Sequence, residues 1–194
     1  MKILVACEYS ATVGLAFQNR GHDVLTCDLL PTENPDVPHH QSDVLPLLEQ
    51  DWDLLVAHPP CTFLANSGVR WLYNKDGSRN EERWSDMCEA SIFFYRFVRA
   101  SQHIPKVCIE NPIPHKHACL PKYAQTVQPW QFGQGETKRT CLWLYGLPTL
   151  QPTNIVEGRH ARVHRMAPGP HRQKERSRFF TGIAEAMAEQ WGDL

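Results

Sequence analysis

Among the residues of this chain that can do covalent chemistry, Cys61 has the most telling neighbours. It closes the stretch 52–61, WDLLVAHPPC. Leu54, Leu55, Val56 and Ala57 form an apolar run, and Pro59 and Pro60 end it. That pattern is expected of a strand buried on both faces of a parallel sheet. Ligands of open α/β sheets bind beyond the carboxyl ends of the strands. Cys61 is therefore expected at such a place, on a loop whose backbone two prolines restrict. A thiolate there is a strong nucleophile once a neighbour lowers its pKa. The alternative is a buried thiol that only packs.

Three further apolar runs end on polar groups. Residues 2–7, KILVAC, lead into Glu8, Tyr9 and Ser10. Residues 23–27, DVLTC, lead into Asp28, and residues 106–109 into Glu110, Asn111 and Pro112. An acid about twenty residues past the first turn is where nucleoside-cofactor folds hydrogen-bond ribose hydroxyls. Alone, Asp28 also fits an acid that caps a loop. The four strand ends together are more specific than any one of them.

The elements that must position these groups alternate in type. Residues 11–20 form a helical pattern, with Ser10 as its expected N-cap and Gly21 as its stop. Residues 30–41 read as loop, 43–48 as a short strand or turn, and 62–78 as a loop containing glycine and aromatics. The longest helical pattern covers 81–100. There Trp84, Met87, Cys88, Ser91, Phe94, Tyr95 and Val98 recur at spacings of three and four, the mark of a core-facing stripe. Residues 140–144 read as a strand and 179–191 as a helix. Such alternation specifies a doubly wound, mostly parallel α/β sheet. Right-handed crossovers place its strand ends along one edge.

The 194 residues fit a single domain with a sizeable core. The formal net charge of −1 excludes a chain that is basic throughout. Basic residues concentrate instead in a loop near 157–178: Arg159, Arg162, Arg165, Arg172, Lys174, Arg176 and Arg178, with His160, His164 and His171 among them. Such a segment either contacts phosphates or is a solvated surface. Pro168, Gly169 and Pro170 mark it as mobile. The seven cysteines follow no disulfide spacing, which points to a reducing cytoplasm. The start resembles neither a signal peptide nor a membrane span.

These residues resemble the DNA cytosine-5 methyltransferases, most closely their short phage-type members. Pro60-Cys61 resembles the family's Pro-Cys nucleophile motif, and Glu110-Asn111-Pro112 its Glu-Asn-Val motif with Pro for Val. Asp28 matches the family's ribose-binding acid. Asp43, in Gln41-Ser42-Asp43-Val44, matches the aspartate that contacts adenine. Lys138-Arg139-Thr140-Cys141 resembles a Gln-Arg-x-Arg pattern, and residues 182–188 resemble the closing cofactor-side motif. The resemblance implies a Rossmann-like, S-adenosylmethionine-dependent methyltransferase fold. In it Cys61 adds to carbon 6 of cytosine and makes carbon 5 nucleophilic. Glu110 hydrogen-bonds ring nitrogen 3 and the amino group, Asn111 holds the loop, and Arg139 contacts the base. Cofactor contacts are expected from Glu8, Tyr9, Ser10, Asp28, Leu29, Asp43 and Pro59.

The chain departs from the family at three places. The glycine-rich first loop is replaced by residues 7–14, CEYSATVG, so weak cofactor binding is expected. The second arginine of the later motif is Cys141. No segment matches a separate target-recognition domain. DNA is the expected partner, as single strands or at low sequence specificity, with room for a partner chain that supplies recognition. No membrane partner is expected, and the expected location is the cytoplasm of a bacterium or phage-infected cell. Three other readings stand beside this one. The first is a zinc site drawn from His103, Cys108, His115, His117 and Cys119. The second is a methyltransferase-like binding protein without turnover, and the third an enzyme acting on RNA or a free pyrimidine nucleotide.

Overall fold

A computed structural model of the chain describes residues 1–169 and 172–194, with Gln173 described by its backbone alone. Its centre is a seven-stranded sheet in the order β3-β2-β1-β4-β5-β7-β6. The strands are β1 (Lys2–Ala6), β2 (Asp23–Asp28), β3 (His39–Gln41), β4 (Leu54–Ala57), β5 (Lys106–Pro112), β6 (Gln125–Val127) and β7 (Thr140–Tyr145). The first five run parallel, β7 lies antiparallel to β5, and β6 lies antiparallel to β7. The order from β3 to β5 is that of a Rossmann sheet, whose ligand crevice opens where the order reverses, between β1 and β4.

The strands form because their side chains are buried on both faces. Ile3 and Val5 of β1 join Leu54 and Val56 of β4 in one core. Leu4, Ala6, Leu55 and Ala57 point the other way into a second core, as the two-residue period of a strand requires. Two helices cover the first face: α1 (Thr12–Gln18), through Val13 and Phe17, and α6 (Thr181–Trp191), through Ile183, Met187 and Trp191. The second face is covered by α2 (Leu45–Leu48) and α3 (Glu81–Ala100), through Leu47, Phe94 and Phe97. Phe94 and Phe97 are fully buried. Truncating either to alanine is expected to cost about 3–5 kcal/mol.

Register positions the site. Ala6 pairs with Cys27 on one side and Ala57 on the other, and Ala57 pairs with Ile109. The residues that follow these, Cys7, Asp28, His58 and Glu110, therefore stand in one row along the carboxyl edge.

Several elements differ from their sequence expectation. Ser10 does not cap α1. Ala11 is the N-cap residue, in the left-handed region at φ 55° and with no side-chain bond of its own. The stretch 43–48, expected as a short strand or turn, contains α2, and part of the expected loop 30–41 is β3, held by its bonds to β2. The buried side of α3 is Met87, Phe94, Phe97 and Ala100. Cys88 is exposed, and Tyr95 turns outward to donate its hydroxyl to the Cys119 carbonyl. The basic segment is not simply a mobile loop. It contains α4 (Arg162–Arg165) and α5 (Arg172–Ser177). Of its expected chain breakers Pro170 lies outside the described residues, as does His171.

Candidate active site

The first turn departs furthest from a glycine-rich loop. Cys7 (φ 59°) and Ala11 (φ 55°) hold left-handed conformations that glycine adopts without strain. Between them lies Glu8, buried with 4% exposure. Its Oε1 accepts the Val13 N–H at 2.7 Å and its Oε2 the Gly14 N–H at 3.1 Å. The carboxylate thus supplies the cap that Ser10 does not, and it fills the place where a Rossmann helix receives a phosphate. Burial pushes the Glu8 pKa up, against opposing pulls from the His58 charge and these backbone donors. Gly14 keeps the third role of a glycine-rich loop, close helix–strand contact. A Cβ there would lie 2.5 Å from Thr26 Cγ2.

Tyr9 is buried under the basic segment. Its hydroxyl donates to the Lys174 carbonyl at 2.9 Å and lies 3.1 Å from Ser177 Oγ. Asp28, at the end of β2, accepts the Leu30 N–H at 2.9 Å, and the exposed Asp43 accepts the Leu45 N–H at 3.0 Å. Both acids act on the same two thiols, Cys7 and Cys27. Burial is the main cause that raises those thiols, and the charges of Asp28 and Asp43 raise them further. Leu29 stands beside Asp28 with 73% exposure.

At the β4 and β5 ends, Asn111 Nδ2 donates to the Pro59 carbonyl at 2.8 Å and fixes the Pro-Pro-Cys loop to β5. Both Glu110 and Asn111 are buried. The Cys61 carbonyl accepts the N–H groups of Leu64 and Ala65, closing a turn behind the thiol. Burial raises the Cys61 thiol above its ordinary pKa, and the Glu110 charge adds to that; Lys138 and Arg176 pull the other way. The thiol is therefore protonated near neutral pH, with an acid and two cations close enough to act on it. Arg139 is exposed just before β7, where its charge reaches Cys141, the residue paired with Asn111.

His58 is absent from the set expected from the sequence. Its Nδ1 donates to Glu110 Oε2 at 3.1 Å, and both side chains are 11% exposed. Its ring packs on Phe179, with centroids 4.8 Å apart. Its Nε2 is buried and has no partner among the described residues. The signal was its position, the first residue past β4 in His-Pro-Pro-Cys.

The basic segment lies across this edge. Glu33 Oε1 receives Lys174 Nζ at 2.7 Å, and Glu33 Oε2 receives Arg178 Nη1 at 2.8 Å. Lys138 Nζ donates to the carbonyls of Arg176 and Arg178. Arg172 Nε donates to the Met166 carbonyl. The zinc reading finds no geometry. His103 Nε2 pairs with the Leu48 carbonyl, His115 Nε2 pairs with the Phe63 carbonyl, and Cys108 is in the core. Among the described residues, no group of three or more His, Cys, Asp or Glu side chains is placed to hold a metal ion.

No protein-family model matches the chain, and no curated protein matches it. Among solved structures it is similar to an E. coli protein described as a "putative DNA modification methyltransferase encoded within prophage". The two share 14% identity with a TM-score of 0.50, over 80% of this chain and 51% of the other. The chain thus spans about half the length of that structure. At this identity the likeness is one of fold. Together with the sheet order, it defines the chain as a Rossmann-like α/β protein. No helix among the described residues is long and apolar enough to cross a membrane.

Proposed function

We propose that the chain transfers a methyl group from S-adenosylmethionine to carbon 5 of cytosine in DNA, with Cys61 as the nucleophile. The observation that carries this reading is the junction of β4 and β5. There a buried Glu110 of β5 and the Pro-Pro-Cys loop, tied down by Asn111, stand side by side past the end of β4. Binding alone requires neither a thiol nor a buried carboxylate at that place.

The residues fit this cofactor better than a dinucleotide. The Glu8 carboxylate already occupies the α1 amides that would take a pyrophosphate, so a phosphate-free nucleoside suits the crevice. Asp28 would hold the ribose hydroxyls and Asp43 the adenine amino group. Leu29 offers an exposed apolar side chain beside them. When bound, S-adenosylmethionine supplies an electrophilic methyl group.

The chain's own residues do the rest. Cys61 gives its proton to solvent water and its sulfur bonds carbon 6, opening the carbon 5–carbon 6 double bond and breaking the aromaticity of the ring. Glu110 hydrogen-bonds nitrogen 3 and the amino group, offsetting charge as it builds. Lys138 and Arg176 favour the thiolate against burial and the Glu110 charge. Arg139, at the rim, contacts the base. Once carbon 5 carries the methyl group, its proton passes to solvent water, the carbon 5–carbon 6 double bond reforms, the sulfur leaves as thiolate and aromaticity returns. A base inside a duplex must leave the stack to reach Cys61.

A second reading, a methyltransferase-like binder without turnover, draws on the raised thiol and on Tyr9, whose hydroxyl is bonded to α5. Mass spectrometry of nucleosides from DNA and RNA, incubated with the protein and labelled S-adenosylmethionine, separates the readings. Labelled 5-methylcytosine from DNA is expected. Label in RNA alone would move the substrate. No label in any base, with nucleic acid still bound, would leave the binder.

A further inference from the structure

We infer that the aromatic and basic surface formed by residues 63–84 is a stacking platform for single-stranded DNA, holding the nucleotides that flank the target cytosine. The inference rests on the reading of Cys61 as the nucleophile and deepens it.

The platform begins next to that thiol. A turn of 3-10 helix (Asn66–Leu72) carries Arg70 and Trp71. Its start is anchored by the Asn66 N–H, which donates to the Ile113 carbonyl just past β5. Arg83 Nη2 donates to the carbonyl of Thr62, the residue after Cys61, while its guanidinium lies 4.1 Å from the Phe63 ring centre. The same alternation of ring and cation continues outward. Arg70 lies 4.4 Å over Trp71, and Arg79 lies 4.1 Å over Trp84.

Tyr73 meets Trp84 and His117 edge-on, but packing does not account for Trp71. Trp71 is 55% exposed and Tyr73 42% exposed, whereas Leu72 between them is buried. Arg70, Trp71, Tyr73, Asn74 and Lys75 line a shallow cavity of about 320 Å³, at the small end of ligand sites. Among the described residues Arg70 and Lys75 form no ion pair. The acids nearby are engaged locally: Asp76 accepts from Ser78 N and Oγ, and Glu81 lies 3.9 Å from Arg79.

The exposed Trp71 and Tyr73, set beside the Arg70 and Lys75 cations, suit a single strand, because every base presents a π-face and every linkage a charge. A duplex keeps its bases stacked and offers these rings nothing. A strand whose target base has left the stack presents the bases beside it, and the platform starts two residues from Cys61, where the target must sit.

The test uses a fluorescein-labelled all-thymine 12-mer, its duplex with an all-adenine strand, and anisotropy titrations. This oligonucleotide has no base to methylate. Its binding is therefore independent of methyl transfer, the platform variants report on the platform, and the nucleoside assay reports on transfer. The wild type is expected to bind the single strand more tightly than the duplex. Trp71→Ala should weaken that binding about 5- to 150-fold, the range for one lost base–aromatic stack. The double variant Arg70→Ala, Lys75→Ala should weaken it further at low salt and flatten its salt dependence. Absence of single-strand binding, equal binding of the duplex, or unchanged affinity in both variants would overturn the platform.

Discussion

At the scale of single residues, the site is governed by groups held away from their solution behaviour. Cys61 is raised first by burial and then by Glu110, so the thiolate fraction grows as pH rises through neutrality. Methyl transfer is expected to climb with pH over that range, and Cys61→Ser to abolish it with the melting temperature unchanged. A hydroxyl is far less nucleophilic than a thiolate near neutral pH. A flat pH profile, or turnover by the serine variant, would remove the covalent step. Glu8 is the opposite kind of residue, buried for structure. Glu8→Ala orphans two buried N–H groups, those of Val13 and Gly14, and should destabilise the protein by about 1–3 kcal/mol. Because burial raises the Glu8 pKa in the folded state, its contribution is greatest in acid, below the ordinary carboxylate range. It declines as pH rises through the folded value. Urea midpoints of both proteins at acid and neutral pH should show a gap that narrows upward. Glu8 could be anticipated as a strand-end acid, but not as the cap of α1. Nothing local in the sequence says that Ala11 takes a left-handed turn and brings two amides to its carboxylate.

At the scale of elements, legibility followed the range of the interactions. The helix at Glu81–Ala100 and the buried strands carry their own period, and their limits were readable from it. The basic segment carries no such pattern. Its α5 is fixed by Glu33, whose bond partner Arg178 is 145 residues away, and by Tyr9, which is 165 residues from Lys174. Such pairings leave no mark in either local sequence. The antiparallel β7 was hidden for a related reason: an apolar run does not state its direction. The strap also changes what its cations do. Lys174 is committed to Glu33, and Arg172 to a carbonyl, whereas Arg176 acts on Cys61. Hydrogen bonding from Lys174 leads the causes that hold Glu33 below its usual range. The contact therefore persists at neutral pH and is lost only as pH falls through that lowered value. These ion pairs are partly exposed and so sensitive to salt. Amide exchange across 172–178 should quicken in high salt and in Glu33→Gln, with the global melting temperature little changed. Equal protection in all three conditions would mean that packing under Tyr9, not the ion pairs, holds the strap.

At the scale of the whole molecule, the edge that carries the site is only as well placed as the layers beneath it. The carboxyl row depends on β1, β4 and β5 staying in register, and α6 closes one face of those strands. Ile183, Ala184, Ala186, Met187 and Trp191 are all fully buried, and the Trp191 indole donates to the Pro148 carbonyl. This helix begins at a point with no spare volume. A Cβ on Gly182 would stand 1.9 Å from the Phe132 carbonyl oxygen and 3.3 Å from its Cβ, while the Gly182 N–H donates to Gln134 Oε1. Backbone cannot yield there as a flexible side chain would, so Gly182→Ala must lift the first turn of α6 from the sheet. Overpacking of this kind costs about 1–3 kcal/mol, and the displaced turn leads directly into the buried face. The control is Gly169→Ala, where no atom of the described residues beyond its chain neighbours lies within 4 Å of the added Cβ. Denaturant unfolding should show a lower midpoint for Gly182→Ala, an unchanged slope, and no destabilisation in the control. If both variants unfold with the wild type, the contact between α6 and residue 132 is looser than the geometry requires. The helix would then not be what keeps the strand ends in line.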